Sequence, residues 1–178
     1  MWFRRPRSRR ETCEILGINR RNLEYVFRDN SRERFSLLDD KIVAKQIMRQ
    51  AGLRVPVSIA EFDSRYGIQT TLAGLADRSR FVVKPARGFG GAGIKAYRGV
   101  DPLAALGADE HEALAFHMAA ILAGMYAMDS LPDKVLVEEF VDEHDKLREL
   151  HADSGVSDIR IIVSDGTPVM AMLRLPCE

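Results

Sequence analysis

The sequence predicts an α/β fold, in which helices alternate with short, mostly antiparallel strands. Segments with a helical spacing of apolar residues alternate along the chain with short apolar runs of strand length. Two of those runs flank a glycine-rich stretch, and two others flank Asp165-Gly166, a dipeptide typical of tight hairpins. At 178 residues the chain is long enough for one large domain or for two small lobes.

The composition is that of an ordinary globular protein and excludes several classes. The formal net charge is zero, so there is no overall basic field to attract nucleic acid or an anionic membrane. No apolar run is long enough to span a bilayer. Two distant cysteines, Cys13 and Cys177, give neither a disulfide framework nor a metal-ligand spacing. We therefore expect a cytoplasmic protein without nucleic-acid or membrane partners.

Residues 1–14 include MWFRRPRSRR and predict a basic, disordered tail. A nucleic-acid-binding arm is the alternative, but no complementary basic face and no aromatic stacking stripe supports it. Residues 15–78 predict a region of helices and one strand. Its expected elements are one or two short helices within residues 11–36, a helix Leu38–Ala51 ended by Gly52 and Pro56, a strand Val55–Phe62 and a short helix Leu72–Ala76.

Residues 79–178 predict a second region with more strands than helices. Apolar runs of strand length and one long stretch with helical spacing follow each other here, separated by turn residues. The expected elements are strands Phe81–Pro85 and Gly93–Arg98, a helix Asp109–Met128, a strand Lys134–Val141, a charged excursion over residues 142–156, and a hairpin of strands Asp158–Ser164 and Pro168–Leu175.

The stretch FVVKPARGFGGAGI, residues 81–94, places four glycines within six positions between two strands. It is not a Walker loop or a dinucleotide fingerprint, because both need a helix directly after the glycines. A glycine-rich hairpin suits a lid whose backbone amides close over phosphates, and Lys84 enters it as a point charge. A plain surface turn is the alternative. Arg87 is either a further donor or a solvated side chain.

Five segments occur in order along most of residues 16–176. They are LGINRRN, LLDDKIVAKQIMRQAGLRVP, FVVKPARGFGGAGI, LAGMYAMDSLPDKVLVEEFV and DIRIIVSDGTPVMAMLRLP. Together they resemble the ATP-grasp superfamily, and within it the alpha-L-glutamate-ligase-related group, also called sugar-transfer-associated ATP-grasp. The resemblance implies an α+β fold of two lobes, in which residues 79–178 form the ATP-grasp core with a glycine flap, a hinge strand and the start of the C-terminal lobe.

The resemblance also implies site residues. Lys41 and Lys84 would bind ATP phosphates, under a flap made by Gly88, Gly90, Gly91 and Gly93. Glu138 would lie near the adenine amino group, Glu139 and Val141 would offer main-chain bonds, and Val83, Leu136 and Phe140 would sandwich the ring. Arg160 and Arg174 would face the triphosphate or the acyl phosphate as catalytic residues. The alternatives are an exposed Lys41, one solvent-facing carboxylate in the hinge strand, and a cross-strand ion pair of the arginines with Asp158 or Asp165.

The implied reaction joins a small-molecule carboxylate to an amine through an acyl phosphate, with ATP and Mg²⁺ as cofactors. In the family the magnesium ligands lie beyond the strand that matches MAMLRLP, so the resemblance places them after Glu178 and predicts no metal ligand within this chain. We accordingly expect an incomplete second lobe, no ligase turnover by this chain alone, and self-association through an uncovered sheet edge near Met170 and Met172. A non-catalytic module that at most binds nucleotide is the alternative.

Overall fold

The computed structural model describes residues 16–99, 101–105, 107–127, 129–151 and 155–176. Contacts divide the chain into two compact units, one of residues 16–35 with residues 143–176 and one of residues 36–142. The basic segment predicted as a tail lies outside the described residues. So do both cysteines and Met128, the predicted end of the long helix.

The described elements follow the order that the sequence predicts, with helices and strands mixed along the chain. Short π- and 3₁₀-helical turns at Asn22–Val26, Arg32–Arg34 and Leu103–Ala105 accompany them. In chain order the elements are α1 (Ile18–Arg21), α2 (Phe27–Asp29), α3 (Ser36–Asp39), α4 (Lys41–Gln50), β1 (Ser58–Phe62), α5 (Tyr66–Gly74), β2 (Arg80–Pro85), β3 (Lys95–Arg98), α6 (Ala108–Leu122), β4 (Val135–Glu139), α7 (Asp145–Arg148), β5 (Asp158–Ser164) and β6 (Thr167–Arg174).

The unit of residues 36–142 is built on a four-stranded antiparallel sheet with the spatial order β1-β4-β2-β3. Its register places Val82 opposite Glu138 and Lys84 opposite Leu136. Side chains alternate between the two faces of a strand, so these four residues share one face. The other face carries Phe81, Val83, Val135 and Val137.

That second face packs against α5 and α6 and forms the main core. Its larger side chains are almost completely removed from water, and burying each contributes roughly 1.5–3 kcal/mol relative to exposure. Most of these side chains come from every second position of β2 and β4 and from positions at helical spacing on α6. The most buried members are Leu75, Phe81, Val83, Leu103, Leu114, Met118, Ile121, Val135 and Val137.

Helix α4 lies over the first face, where Ile42 packs on Ala86 and Leu136. Asp40 begins the helix: its backbone is extended and its carboxylate accepts from the N–H groups of Ile42 at 2.9 Å and Val43 at 3.3 Å. The predicted single helix Leu38–Ala51 is therefore wrong at its start, because the cap at Asp40 separates α3 from α4. Its predicted end is confirmed, with Gly52 at a φ of 73°.

The remaining predicted elements are confirmed with changed bounds. Strands β1, β3 and β4 are shorter than the apolar runs that predicted them, because such a run does not show where the pairing partner ends. Helix α5 begins six residues before its predicted start of Leu72. Helix α6 stops at Leu122 rather than at Met128, since Gly124 adopts a φ of 79° that ends the helix.

The unit of residues 16–35 with 143–176 contains a helical run and the hairpin β5–β6. The predicted Asp-Gly turn is confirmed, with Asp165 at a φ of 47° and Gly166 at 73°, the left-handed pair that a tight hairpin needs. Nearby, Glu143 accepts from the Ser157 N–H at 2.8 Å and pairs with His151 at 2.9 Å. Most side chains of the hairpin are exposed, including Met170 at 50%.

Substitution of Gly124 tests whether the close approach of its backbone to Leu131 requires glycine after α6. A Cβ atom there would overlap the carbonyl oxygen of Leu131, whereas Gly52, with nearly the same φ, has open space around it. Gly52→Ala should lower the free energy of unfolding by about 1–2 kcal/mol, the cost of a left-handed non-glycine residue. Gly124→Ala should lower it clearly further, because the backbone must also move. Urea denaturation measures both, and equal losses would contradict the close approach.

Candidate functional site

Three cations lie on one stripe of α4. Lys41, Lys45 and Arg49 are spaced by four residues, which places them on the same side of a helix. This side turns toward the sheet: Lys45 is buried, with 7% of its surface exposed. The Arg49 guanidinium donates to the Ser58 hydroxyl at 3.3 Å and to the Pro56 carbonyl at 3.4 Å. The stripe therefore contacts the sheet along most of the helix.

Glu138 of β4 meets this stripe from the sheet and is 5% exposed. Its Oε2 accepts a hydrogen bond from the Lys45 ammonium at 2.8 Å, and its Oε1 accepts one from the Lys84 ammonium on β2. Each carboxylate oxygen thus holds a different lysine. We call Lys41, Lys45, Lys84 and Glu138 the Lys–Glu cluster.

Lys41 connects the cluster to the glycine-rich segment. Its ammonium donates to the carbonyl oxygens of Gly88 at 2.7 Å and Ala86 at 3.3 Å. Burial lowers the pKa of Lys41 below its ordinary value of 10.5, and the nearby positive charge of Lys84 lowers that pKa further. The charges of Asp133, Asp40 and Glu138 act in the opposite direction. Two ammonium groups therefore lie close enough to repel each other.

The glycine loop, Gly88–Gly93, is fixed at both ends and open in the middle. At its start Gly88 packs so closely on Pro85 that no side chain would fit, and it forms a bridge with Ala127. At its end the His117 Nε2–H donates to the Gly93 carbonyl at 3.0 Å, and burial lowers the pKa of His117. Between these points the loop is exposed, and no described residue accepts a hydrogen bond from the N–H groups of Gly90 or Gly91.

The site carries an excess of positive charge next to this loop. Three lysines face one carboxylate within the Lys–Glu cluster, so a dianionic or more highly charged ligand would neutralise it. Arg87 does not add to this excess. Its guanidinium lies 3.2 Å from Asp129 and 3.6 Å from the buried Asp133, and donates to the Pro132 carbonyl at 2.6 Å. The Arg87 guanidinium is thus already paired, although 33% of its side chain is exposed.

The structure brings several of the predicted site residues together. Lys41, Lys84, Gly88 and Glu138 meet on one face of the sheet, as the contacts above show. The Glu139 backbone N–H donates to the Val57 carbonyl at 2.9 Å, and its carboxylate accepts from the Val57 N–H at 2.8 Å. Val141 lies past the end of β4 and is 53% exposed.

The predicted apolar sandwich around an adenine ring is wrong for two of its three members. Val83 and Leu136 are fully buried and lie on opposite faces of the sheet, so they cannot face the same ligand. Phe140 is only partly buried, and the guanidinium groups of Arg80 and Arg98 lie 4.9 Å and 4.8 Å from its ring centre.

Arg160 and Arg174 belong to the other unit, on one face of the β5–β6 hairpin. The Arg174 guanidinium forms a two-point ion pair with the opposite residue, Asp158, with Nε 2.7 Å from Oδ1. Hydrogen bonding from Arg174 lowers the pKa of Asp158. The cross-strand ion pair that the sequence left open is thus present at Arg174. Both arginines are exposed.

Lys45 is the site residue that the sequence analysis did not single out. Its spacing of four from both Lys41 and Arg49 was the available signal. A lysine on the same side as the apolar Ile42 has to be buried or paired, and here it is both.

The part of the chain that the structure describes shows no metal-binding cluster. Within it no three His, Cys, Asp or Glu residues come together in a way that could hold a metal ion. None of the described helices has the length and apolar character needed to cross a membrane.

Comparison with known protein families identifies a relationship that covers most of the chain. A family model described as sugar-transfer associated ATP-grasp matches residues 20–178, which is most of the chain. No curated protein matches the sequence.

Glu138 is expected to be essential for the stability of the fold. Glu138→Gln leaves the buried Lys45 and the half-buried Lys84 facing each other without a counter-charge. Removing one partner of a buried ion pair costs roughly 3–5 kcal/mol, so the free energy of unfolding should fall by that amount. Urea denaturation measures it. Glu112→Gln, an exposed change on α6, is the control and should stay within about 0.5 kcal/mol. A similarly small loss for Glu138→Gln would contradict a buried network.

Because the pKa of Lys41 is lowered in the folded protein, its contribution to the free energy of unfolding should change with pH in a known direction. Between that lowered pKa and 10.5 the unfolded chain binds more protons at this residue than the folded chain does. The contribution of Lys41 to stability therefore rises with pH across this window. Urea denaturation of the wild type and Lys41→Met should show the wild type gaining stability relative to the variant as pH increases. A difference that is constant or falls would contradict the burial of this ammonium group.

Proposed function

The chain belongs to the sugar-transfer-associated ATP-grasp family, and we propose that its Lys–Glu cluster and glycine loop bind the phosphates of ATP for carboxylate–amine ligation. ATP-grasp proteins in general bind ATP together with Mg²⁺ and act as ligases on small molecules. The finer assignment of residues and chemistry is the proposal. The main observation that supports the proposal is that the three lysines of the Lys–Glu cluster lie on one face of the sheet, close to where the glycine loop begins.

Lys84 and Lys41 are the proposed phosphate ligands. Both ammonium groups lie at the start of the loop, Lys84 four residues before Gly88 and Lys41 on the Gly88 carbonyl. Charge-assisted hydrogen bonds to phosphate oxygens are about twice as strong as neutral ones. The cluster has more cations than anions, so a bound triphosphate would relieve the repulsion between Lys41 and Lys84 and would be held there.

The glycine loop is the proposed lid. Gly90 and Gly91 have φ angles of 60° and 83°, and no described residue accepts from their N–H groups. Backbone amides in such a loop can point at phosphate oxygens without a side chain in the way. The bonds from Lys41 to Gly88 and from His117 to Gly93 would hold the two ends of the lid in place.

The adenine is assigned to the exposed end of β4, near Val141. Glu138 does not suit the base edge in this arrangement, because both of its carboxylate oxygens are bound to lysines and the residue is buried. We therefore propose that the Glu138 side chain acts on the phosphate site. Main-chain groups beyond Glu139 would contact the base.

In the proposed ligation a carboxylate oxygen of one substrate attacks the terminal phosphorus of ATP. ADP leaves, and an acyl phosphate forms. The nitrogen of an amine then attacks the acyl carbon, and inorganic phosphate leaves. The resemblance implies Arg160 and Arg174 as catalytic residues, and this assignment stays a prediction. Planar guanidinium groups suit phosphoryl oxygens, although the Arg174 guanidinium is paired with Asp158 here.

Magnesium would accompany ATP, as it does in ATP-grasp proteins generally. The phosphate contacts proposed from the described residues are lysine ammonium groups and backbone N–H groups. We propose a cytoplasmic setting for the reaction, and the cysteine usage of the sequence supports it.

Lys84→Met tests the phosphate site. The variant keeps an apolar chain of similar length and leaves Glu138 paired with Lys45. ATP binding measured by calorimetry should weaken by about 1.5–3 kcal/mol, the usual size of a hydrogen bond to a charged group. Arg65→Ala is the matched control, because Arg65 precedes α5 on the opposite side of the sheet, and it should leave the affinity unchanged.

Equal ATP affinity of Lys84→Met and Arg65→Ala would reject Lys84 as a phosphate ligand, provided that both variants unfold cooperatively in urea. Wild-type protein that does not bind ATP at all would reject the proposed function as a whole. ADP release that depends on an amine acceptor would support ligation. ATP binding without such release would assign the chain to nucleotide binding alone.

A further inference from the structure

From the two ion pairs of Glu138 we infer that Lys45 is a positioning residue, which holds Glu138 in place so that Lys84 can move to a phosphate. The inference rests on the proposed function, since it concerns the same ATP site. It assigns a task to a buried lysine that neither the motif resemblance nor the phosphate contacts require. Lys45 itself does not touch the ligand.

The two lysines bound to Glu138 differ in how they are placed. The Lys45 side chain is 9% exposed and comes from α4, which covers this face of the sheet. The Lys84 side chain is 19% exposed and comes from the strand that leads into the glycine loop. Lys84 therefore has access to a ligand under the loop. Lys45 is enclosed between helix and sheet and stays with the carboxylate.

The carboxylate needs a partner at all times, because it is nearly inaccessible to water. If Lys84 left for a phosphate and no other cation remained, Glu138 would be an unpaired buried charge, which is strongly unfavourable. Lys45 on the second oxygen removes that penalty. Glu138 can thus hold Lys84 when no ligand is bound and release it when phosphate oxygens arrive.

Few other charged groups near Glu138 could replace Lys45 as the partner of its carboxylate. Lys41 also lies on α4 and interacts with Glu138, but its ammonium is bound to the carbonyls of Gly88 and Ala86. Across the sheet the neighbours are the apolar Val82 on β2 and Ser58 on β1, whose hydroxyl is bound by Arg49. Asp40 and Asp133 are the nearby acids, and both act on Lys41. With Lys45 neutralised, release of Lys84 would leave proton uptake by Glu138 as the remaining way to avoid a buried charge.

The test compares ATP binding by the wild type, Lys45→Met, Lys45→Arg and the double variant Lys45→Met/Glu138→Gln. Calorimetry in buffers of different ionisation enthalpy, repeated from about pH 6 to about pH 9, gives both the affinity and the number of protons taken up. The protons that ATP itself exchanges are common to all four proteins and cancel in the comparison.

Lys45→Met should bind ATP about 5- to 150-fold more weakly than the wild type near pH 8, the usual range for coupled binding. It should take up an extra proton on binding, so that its affinity recovers as the pH falls. Lys45→Arg keeps the charge and should behave like the wild type. In the double variant the carboxylate that competes for Lys84 is absent, so the affinity should recover and the extra proton uptake should disappear.

A Lys45 that only stabilises the fold would lower the unfolding free energy without any change in proton uptake, and that result would overturn the inference. If Lys45→Met does not fold, nitrogen NMR of the wild-type lysine ammonium groups decides. On ATP addition the Lys84 signal should shift while Lys45 keeps its bond to Glu138. Lys84 remaining on Glu138 with ATP bound would equally overturn it. Wild-type protein that fails to bind ATP would instead reject the proposed function.

Discussion

The unit of residues 36–142 depends on one buried carboxylate, Glu138, shared by two lysines from different elements. An ion in this position is tolerated only while its countercharges are in place. That requirement fixes how α4 lies over the sheet, since Lys45 must reach one oxygen and Lys84 the other. With α4 fixed, Lys41 at its first turn reaches the carbonyl of Gly88. The start of the glycine loop is thus tied to the same ion network.

The two faces of this sheet are covered by different kinds of contact, one mainly apolar and the other largely ionic. The face that meets α5 and α6 buries large aliphatic and aromatic side chains and carries most of the hydrophobic stabilisation. The face under α4 has a smaller apolar cluster of Ile42, Ala86 and Leu136. Its remaining area is occupied by charged groups, and buried ion pairs often add little net stability compared with apolar contacts.

The sequence was sufficient for the fold class and for much of the order of elements. Short apolar runs of strand length identified β2, β4 and the hairpin, and the Asp165-Gly166 turn adopts the conformation that this dipeptide favours. Boundaries were less accurate where capping decided them. The sequence analysis began this helix at Leu38. Only the hydrogen bonds that the Ile42 and Val43 N–H groups donate to Asp40 show that Asp40 divides α3 from α4. Likewise, helical spacing continued past Leu122 although Gly124 ends α6.

By itself, the sequence determined the family and the segments that contain Lys41, Lys84, Glu138 and the loop glycines, because these residues occur in ordered local motifs. Only the tertiary structure decided that Lys45 belongs with them, and that Val83, on the opposite face of the sheet, does not. Lys45 and Glu138 are 93 residues apart, and the helix and the strand become neighbours only in the folded chain. The strand register decides which side chains join Glu138, because it sets the face of the sheet on which each side chain lies.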